Sequence, residues 1–304
     1  MPTAYEPVSP PVALAIAGSD SGGGAGVQAD LKAMTEHGVF GTSVVTATTA
    51  QNTRRVAGVH ALPADHVAAQ YDAVVEDFDV GAVKTGMLAT AETVETVTEL
   101  LARFRGPVVV DPVMVAATGD RLLSPAAEDA YDALIEAATL VTPNADEAAV
   151  LTGEPVETVA DAERAGRELV TSGVDAALIK GGHLDGKGSE GDTGEGDTGE
   201  DEAGATVVDT LVVGDGEGDG DRDDASTADR DPTVVRFENP RIKTDATHGS
   251  GCTLSSAIAA RLTRGERLRE AVAAAVEEMS EAVRNGYDVG DGPGAVDPTV
   301  LDQS

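Results

Sequence analysis

Short apolar runs rich in valine, isoleucine and threonine alternate along the chain with stretches whose apolar residues recur at helical spacing. That alternation predicts an α/β protein: a central, mostly parallel sheet with helices on both faces. Strands are expected at residues 12–17, 42–50, 80–85, 107–111, 138–142 and 176–180, and helical segments include QADLKAMTEHG, AETVETVTELLARF and AAEDAYDALIEAA. After Lys180 the pattern changes. Residues 205–214 and 233–242 read as a small β-hairpin, and two further helices are expected at 252–264 and 266–285. The folded body should run from 12 to 286, between a polar N-terminal tail at 1–11 and a polar C-terminal tail at 287–304.

Composition narrows the class. With 304 residues, 41% of them apolar, the chain can bury a sizeable core, and its single cysteine forms no internal disulfide. The opening MPTAYEPVSPPV lacks the basic residues and apolar stretch of a signal peptide, and no apolar run reaches membrane-spanning length, so a cytoplasmic location without membrane contact is expected. The 54 acids against 21 bases give a net charge of −33, a surface that repels phosphate backbones and argues against a nucleic-acid partner. Two glycine-acidic insertions, at 185–204 and 214–232, carry part of this excess and are expected to be mobile. Outside residues 185–202 and 215–231 the charge is still −20, so acidity belongs to the whole surface. Such a surface suits molar salt, where the Debye length falls to about 3 Å.

Candidate chemistry gathers where strands end, the usual ligand position of open α/β sheets. AGSDSGGGAGVQADL follows the first strand, and its glycines permit close backbone approach, although a tight turn alone would also use them. In TPNADE, Asn144 and Glu147 lie three apart on an incipient helix and offer oxygens to Mg²⁺, with Asp111 able to join them; a helix cap is the competing reading for Asn144. THGSGCTLSSAIAARL sets Gly249, Ser250, Gly251 and Cys252 at a helix start, an anion-binding geometry in which the thiol should have a lowered pKa. A lone cysteine is otherwise a small buried hydrophobe.

The ordered set AIAGSDSGGGAGVQADLKAM, TAQNT, KTGML, DPVM, TGDRLLSP, TPNADEAAVLTG, IKGGH and THGSGCTLSSAIAA resembles the hydroxymethylpyrimidine/phosphomethylpyrimidine kinases of thiamine biosynthesis, members of the ribokinase-like superfamily. The resemblance implies ATP-dependent phosphorylation of 4-amino-5-hydroxymethyl-2-methylpyrimidine and then of its monophosphate, with Mg²⁺ and a homodimeric assembly. It implies that Gln51 pairs with the aminopyrimidine edge, with Met87 on the ring and Gly18, Asp30 and Val113 completing the pocket. Asp111 and Glu147 would hold Mg²⁺, with Asn144, Lys180 and Thr247 on the nucleotide side. Gly249, Ser250, Gly251 and Cys252 would form the anion hole, Cys252 standing where sugar kinases carry an aspartate base. Ala117 departs from a commonly lysine position, and proline is missing after Asp20. Pyridoxal kinases of similar sequence are the nearest alternative, and a pyrimidine-binding regulator without turnover is the alternative from another class.

Overall fold

In the computed structural model, residues 7–114, 130–182, 206–214 and 231–301 are described. Nine strands among them form one sheet in the order β3-β2-β1-β4-β5-β6-β7-β8-β9. They are β1 (Val12–Ser19), β2 (Phe40–Asn52), β3 (Arg55–Ala61), β4 (Val80–Thr85), β5 (Val108–Val110), β6 (Leu140–Val141), β7 (Ala176–Ile179), β8 (Thr206–Val213) and β9 (Thr233–Pro240). From β2 across to β7 the pairings are parallel, and β3, β8 and β9 extend the two edges antiparallel. The helices are α1 (Gly26–Glu36), α2 (Ala64–Val75), α3 (Ala91–Leu101), α4 (Tyr131–Glu136), α5 (Ala145–Thr152), α6 (Val159–Thr171), α7 (Ser250–Thr263) and α8 (Leu268–Arg284). The expected architecture is present, hairpin included. Ala117 and nearly all of the two acidic insertions lie outside the described residues.

The strands read as unbroken apolar runs because both of their faces are covered. Leu14, Ile16, Val83, Val110, Val141 and Ile179 face one core, shared with α3, α4 and α6. Their neighbours Val109, Leu140 and Leu178 face a second core built on α7 and α8. Period-two alternation thus splits each strand between two buried layers. Helix α7 is buried from Thr253 to Arg261, and its small residues Ser255, Ser256, Ala257, Ala259 and Ala260 let it lie close against β4, β5 and α1.

Two features differ from expectation. Strand β3 was not foreseen: β2 runs on to Asn52 and turns into an antiparallel partner pairing Gln51 with Val56. Residues 287–301, expected as a polar tail, return to the body. Val296 and Leu301 are buried, the Ala295 N–H donates to Tyr287 O at 3.2 Å, and the Val296 N–H donates to His248 O at 3.1 Å. A few apolar side chains in a string of glycine, aspartate and proline suffice to dock it.

Candidate active site

The carboxyl ends of β1, β2, β4, β5, β6 and β7 converge with the first turn of α7, and the expected site residues lie on this rim. The glycine-rich loop after β1 wraps around one carboxylate. Asp20 accepts from the backbone N–H of Gly22 at 2.7 Å, Gly24 at 3.0 Å and Ala25 at 2.9 Å. His248 Nε2 donates to it at 3.0 Å. Burial works against the charge, yet His248 and these amides hold the Asp20 carboxyl below its usual range. The loop also meets the α7 turn directly. A Cβ on Gly249, whose φ is +80°, would stand 1.8 Å from Gly24 O, so only glycine closes this joint.

At the end of β2, Gln51 is half-buried, with its amide 3.3 Å from Thr49 Oγ1 and 3.5 Å from His248 Nε2. Met87, buried after β4, covers Gly18 so closely that a Cβ there would meet its Cε at 2.3 Å. Val113 follows Asp111 and is half-buried. Asp30, expected to complete the pocket, lies beneath it instead. It is fully buried and accepts from Lys84 Nζ at 2.7 Å and Ser256 Oγ at 2.8 Å. Its second oxygen has no hydrogen-bond partner among the described residues. Burial disfavours the Lys84 ammonium, but Asp30 beside it holds its pKa above the usual range.

Toward β5, β6 and β7, Lys180 joins what the sequence separates. Its Nζ donates to Asp111 Oδ1 at 3.0 Å and stands 3.9 Å from Glu147 Oε2. A Cβ on Gly251 would lie 3.0 Å from the same Nζ and 3.7 Å from Asp111 Oδ2. Ammonium, carboxylates and helix terminus therefore face one small space. Asn144 and Glu147 form a reciprocal capping box, the Asn144 N–H donating to Glu147 Oε2 at 2.8 Å and the Glu147 N–H to Asn144 Oδ1 at 2.9 Å. Asn144 thus takes the capping role in this structure. Burial, with Asp111 adding to it, pushes the Glu147 carboxyl up to about 7 despite Lys180 nearby.

The donors suit a divalent cation bound mainly through phosphate and water. Asp111 and Glu147 already converge on one positive charge, that of Lys180, and among the described residues no larger cluster of His, Cys, Asp or Glu gathers. One or two carboxylates with substrate phosphates is the way Mg²⁺ is commonly held.

One of the amides expected to line an anion hole is already engaged. The Ser250 N–H turns back onto Thr247 O at 3.1 Å, which leaves Gly251 and Cys252 as the first-turn amides without an intrahelical partner. Exposed Thr247 instead borders a cavity of about 190 Å³ with Asn52, Thr53, Thr244, Asp245, His248 and Pro293. Cys252 also corrects the sequence reading. The residue as a whole is half-buried, but removal of its sulfur from water pushes the thiol up to about 11 rather than down; Lys84 and the Gly26 N–H oppose the rise, and Asp30 and Asp111 add to it. The helix terminus is outweighed by burial.

Three residues escaped the sequence reading: Asp20, Lys84 and His248. All three stood inside quoted motifs, but their partners lie 54 to 228 residues away, so spacing carried no signal.

A glycine-rich turn at the carboxyl edge of a mostly parallel sheet, with a lysine and two carboxylates beside a helix N-terminus, is the arrangement of a ribokinase-like small-molecule kinase. The family described as Phosphomethylpyrimidine kinase matches residues 20–200 and 200–297, and the chain belongs to it. A hydroxymethylpyrimidine/phosphomethylpyrimidine kinase of Streptomyces coelicolor is 46% identical over 96% of this chain and 95% of that protein. An ADP complex of Bacillus subtilis pyridoxal kinase superposes with a TM-score of 0.78 at 30% identity, covering 97% of this chain and all of that one. A phosphomethylpyrimidine kinase from Clostridium difficile gives 0.69 at 35% identity over 90% of this chain and 99% of that one.

Proposed function

We propose that the protein transfers the γ-phosphoryl group of ATP to the hydroxymethyl oxygen of 4-amino-5-hydroxymethyl-2-methylpyrimidine, and then a second phosphoryl group to the resulting monophosphate, for thiamine synthesis. The observation that carries this reading is the Lys180–Asp111–Gly251 convergence, with Gln51 and Met87 following strands β2 and β4 of the same sheet. In the transfer, the substrate oxygen forms a bond to phosphorus while the bond to ADP breaks, and the hydroxyl proton passes to a phosphoryl oxygen or to water. Such chemistry rests mainly on positioning and on stabilising charge on the phosphoryl oxygens. The amides of Gly251 and Cys252 and the Lys180 ammonium supply that charge stabilisation. Mg²⁺, held by Asp111 and Glu147 with phosphate oxygens, would neutralise phosphate charge. Cys252 acts through its amide and its size, because a thiol pushed up to about 11 keeps its proton near neutral pH.

The likeness to pyridoxal kinase structures favours pyridoxal as the second substrate to test. Comparing kcat/KM for the pyrimidine alcohol and for pyridoxal, with ATP and Mg²⁺ in molar KCl, decides between them. A preference for pyridoxal would reject the pyrimidine reading. The acidic surface supports a cytoplasm of high salt, and no helix among the described residues is long and apolar enough to cross a membrane. The homodimer expected from the resemblance is part of this proposal, to be measured by light scattering under the same conditions; a single-chain mass would remove it.

A further inference from the structure

A glutamine amide alone cannot tell an aminopyrimidine from an oxopyrimidine. Rotated by half a turn it exchanges donor for acceptor, so the edge formed by a 4-amino group and N3 and the edge formed by a 4-oxo group and N3–H are both satisfiable. Discrimination requires neighbours that hold the amide one way round.

The structure supplies them on both sides of Gln51. Its Oε1 lies 3.3 Å from Thr49 Oγ1, and its Nε2 lies 3.5 Å from His248 Nε2. Thr49 has one hydroxyl proton and donates it to Ser19 O at 2.8 Å, so toward Gln51 it offers only a lone pair. His248 Nε2 faces Asp20 Oδ2 at 3.0 Å, and a ring nitrogen facing a carboxylate must carry a proton. Its one hydrogen points at Asp20, so toward Gln51 this nitrogen has no lone pair to accept from an NH₂ and tolerates only a carbonyl oxygen beside its N–H. The two ends of an amide have the same shape, so the protons of the neighbours assign them: NH₂ belongs on the Thr49 side and the carbonyl oxygen on the His248 side. Each end keeps one further hydrogen or lone pair for a ligand.

His248 cannot turn to follow a rotated amide. Its backbone N–H donates to Gly294 O at 3.1 Å and its backbone carbonyl accepts from the Val296 N–H at 3.1 Å. Its ring edge packs on the glycine loop, where a Cβ on Gly24 would stand 2.6 Å from His248 Cδ2. The Asp20 carboxylate that fixes its proton is itself held by three backbone amides.

We infer that His248, with Thr49, is a specificity-determining positioning residue that locks the Gln51 amide for an aminopyrimidine edge against an oxopyrimidine edge. This rests on the reading that Gln51 meets the substrate's ring edge, and the experiment separates the two. Steady-state kinetics are measured for the 4-amino alcohol and its 4-oxo counterpart with the parent enzyme, His248→Phe, Thr49→Val and Gln51→Leu. The parent should prefer the amino form. His248→Phe and Thr49→Val should each lower the amino/oxo ratio of kcat/KM by about tenfold, the worth of roughly one hydrogen bond, chiefly by lowering KM for the oxo form. A purely structural role would depress both substrates together and leave the ratio alone. An unchanged ratio in these variants, alongside its collapse in Gln51→Leu, overturns the lock and leaves Gln51 as the ring contact. An unaltered pyrimidine KM in Gln51→Leu overturns the underlying reading. If His248→Phe fails to fold, the Thr49→Val ratio decides.

Discussion

Gly251 and Lys180 face each other across the head of α7, an added Cβ on the glycine lying 3.0 Å from the lysine Nζ. Gly249, two residues earlier, meets backbone instead of a side chain, with Gly24 O 1.8 Å from the same construction and φ at +80°. The two glycines should therefore fail differently. Gly251→Ala pushes only against the flexible end of Lys180, so the fold should persist while kcat falls by about 10² to 10³, the usual loss when a charge-stabilising donor is displaced. Gly249→Ala forces the loop and turn apart and should cost roughly 1 to 3 kcal/mol of stability. Thermal denaturation alongside kinetics distinguishes them; equal losses of stability in both variants would refute the distinction.

Glu147 sets a pH dependence. Its carboxyl rises from 4.5 to about 7 on folding, so the unfolded chain ionises first as pH increases. The related stability is fully present below 4.5 and is lost as pH rises through 7, a total of about 3 kcal/mol at 1.36 kcal/mol per unit. Glu147→Gln should flatten that part of the stability curve measured by denaturant unfolding without nucleotide. Mg²⁺ with ATP should bind the parent more tightly as pH rises through 7 and release a proton, seen by calorimetry in buffers of different ionisation enthalpy. Binding without proton release would remove Glu147 from the cation site.

Much of this architecture was legible in the sequence. The strands β1, β4, β5, β6 and β7 announce themselves because both of their faces are buried, so almost every position is apolar. Strand β3 gives no such signal. Arg55, Ala57, Gly58, Val59 and His60 are exposed on an edge hairpin with no buried face to impose alternation. The site motifs were legible as local strings, and the structure brings Asp111, Glu147, Lys180 and Gly251 together as those strings implied. What remained hidden depends on burial and distant pairing: Asp30 sunk beneath the pocket on Lys84, His248 coupled to Asp20 and Gln51, and the thiol of Cys252.

That thiol yields a test in which local and tertiary effects predict opposite results. A helix N-terminus alone would make Cys252 a thiolate near neutrality, whereas burial and the Asp30 and Asp111 charges push it up to about 11. Alkylation by iodoacetamide should therefore be slow at pH 7.5 and accelerate only above pH 9. Cys252→Ser should stay within about tenfold of parental kcat, less than the 10² to 10⁴ that loss of a general base costs. Rapid alkylation near neutrality, with a kcat loss in that larger range, would restore the thiolate base.

The acidic surface carries its own expectation. With −20 remaining outside the two glycine-acidic tracts, deleting residues 186–202 and 216–230 should leave a folded kinase that still needs high salt. Melting temperatures of parent and deletion protein across a KCl series check this. Full stability of the deletion protein in dilute buffer would assign the salt requirement to the tracts.

The most direct measurement follows the products of one reaction by phosphorus NMR: purified protein, ATP, Mg²⁺ and 4-amino-5-hydroxymethyl-2-methylpyrimidine in molar KCl, beside the same mixture with Gln51→Leu. The parent should form the monophosphate and then the diphosphate, with two ADP released per pyrimidine. The variant should need far more pyrimidine for either step while its ATP affinity holds. ATP consumed with no phosphorylated pyrimidine, or equal pyrimidine turnover by parent and variant, would contradict the account.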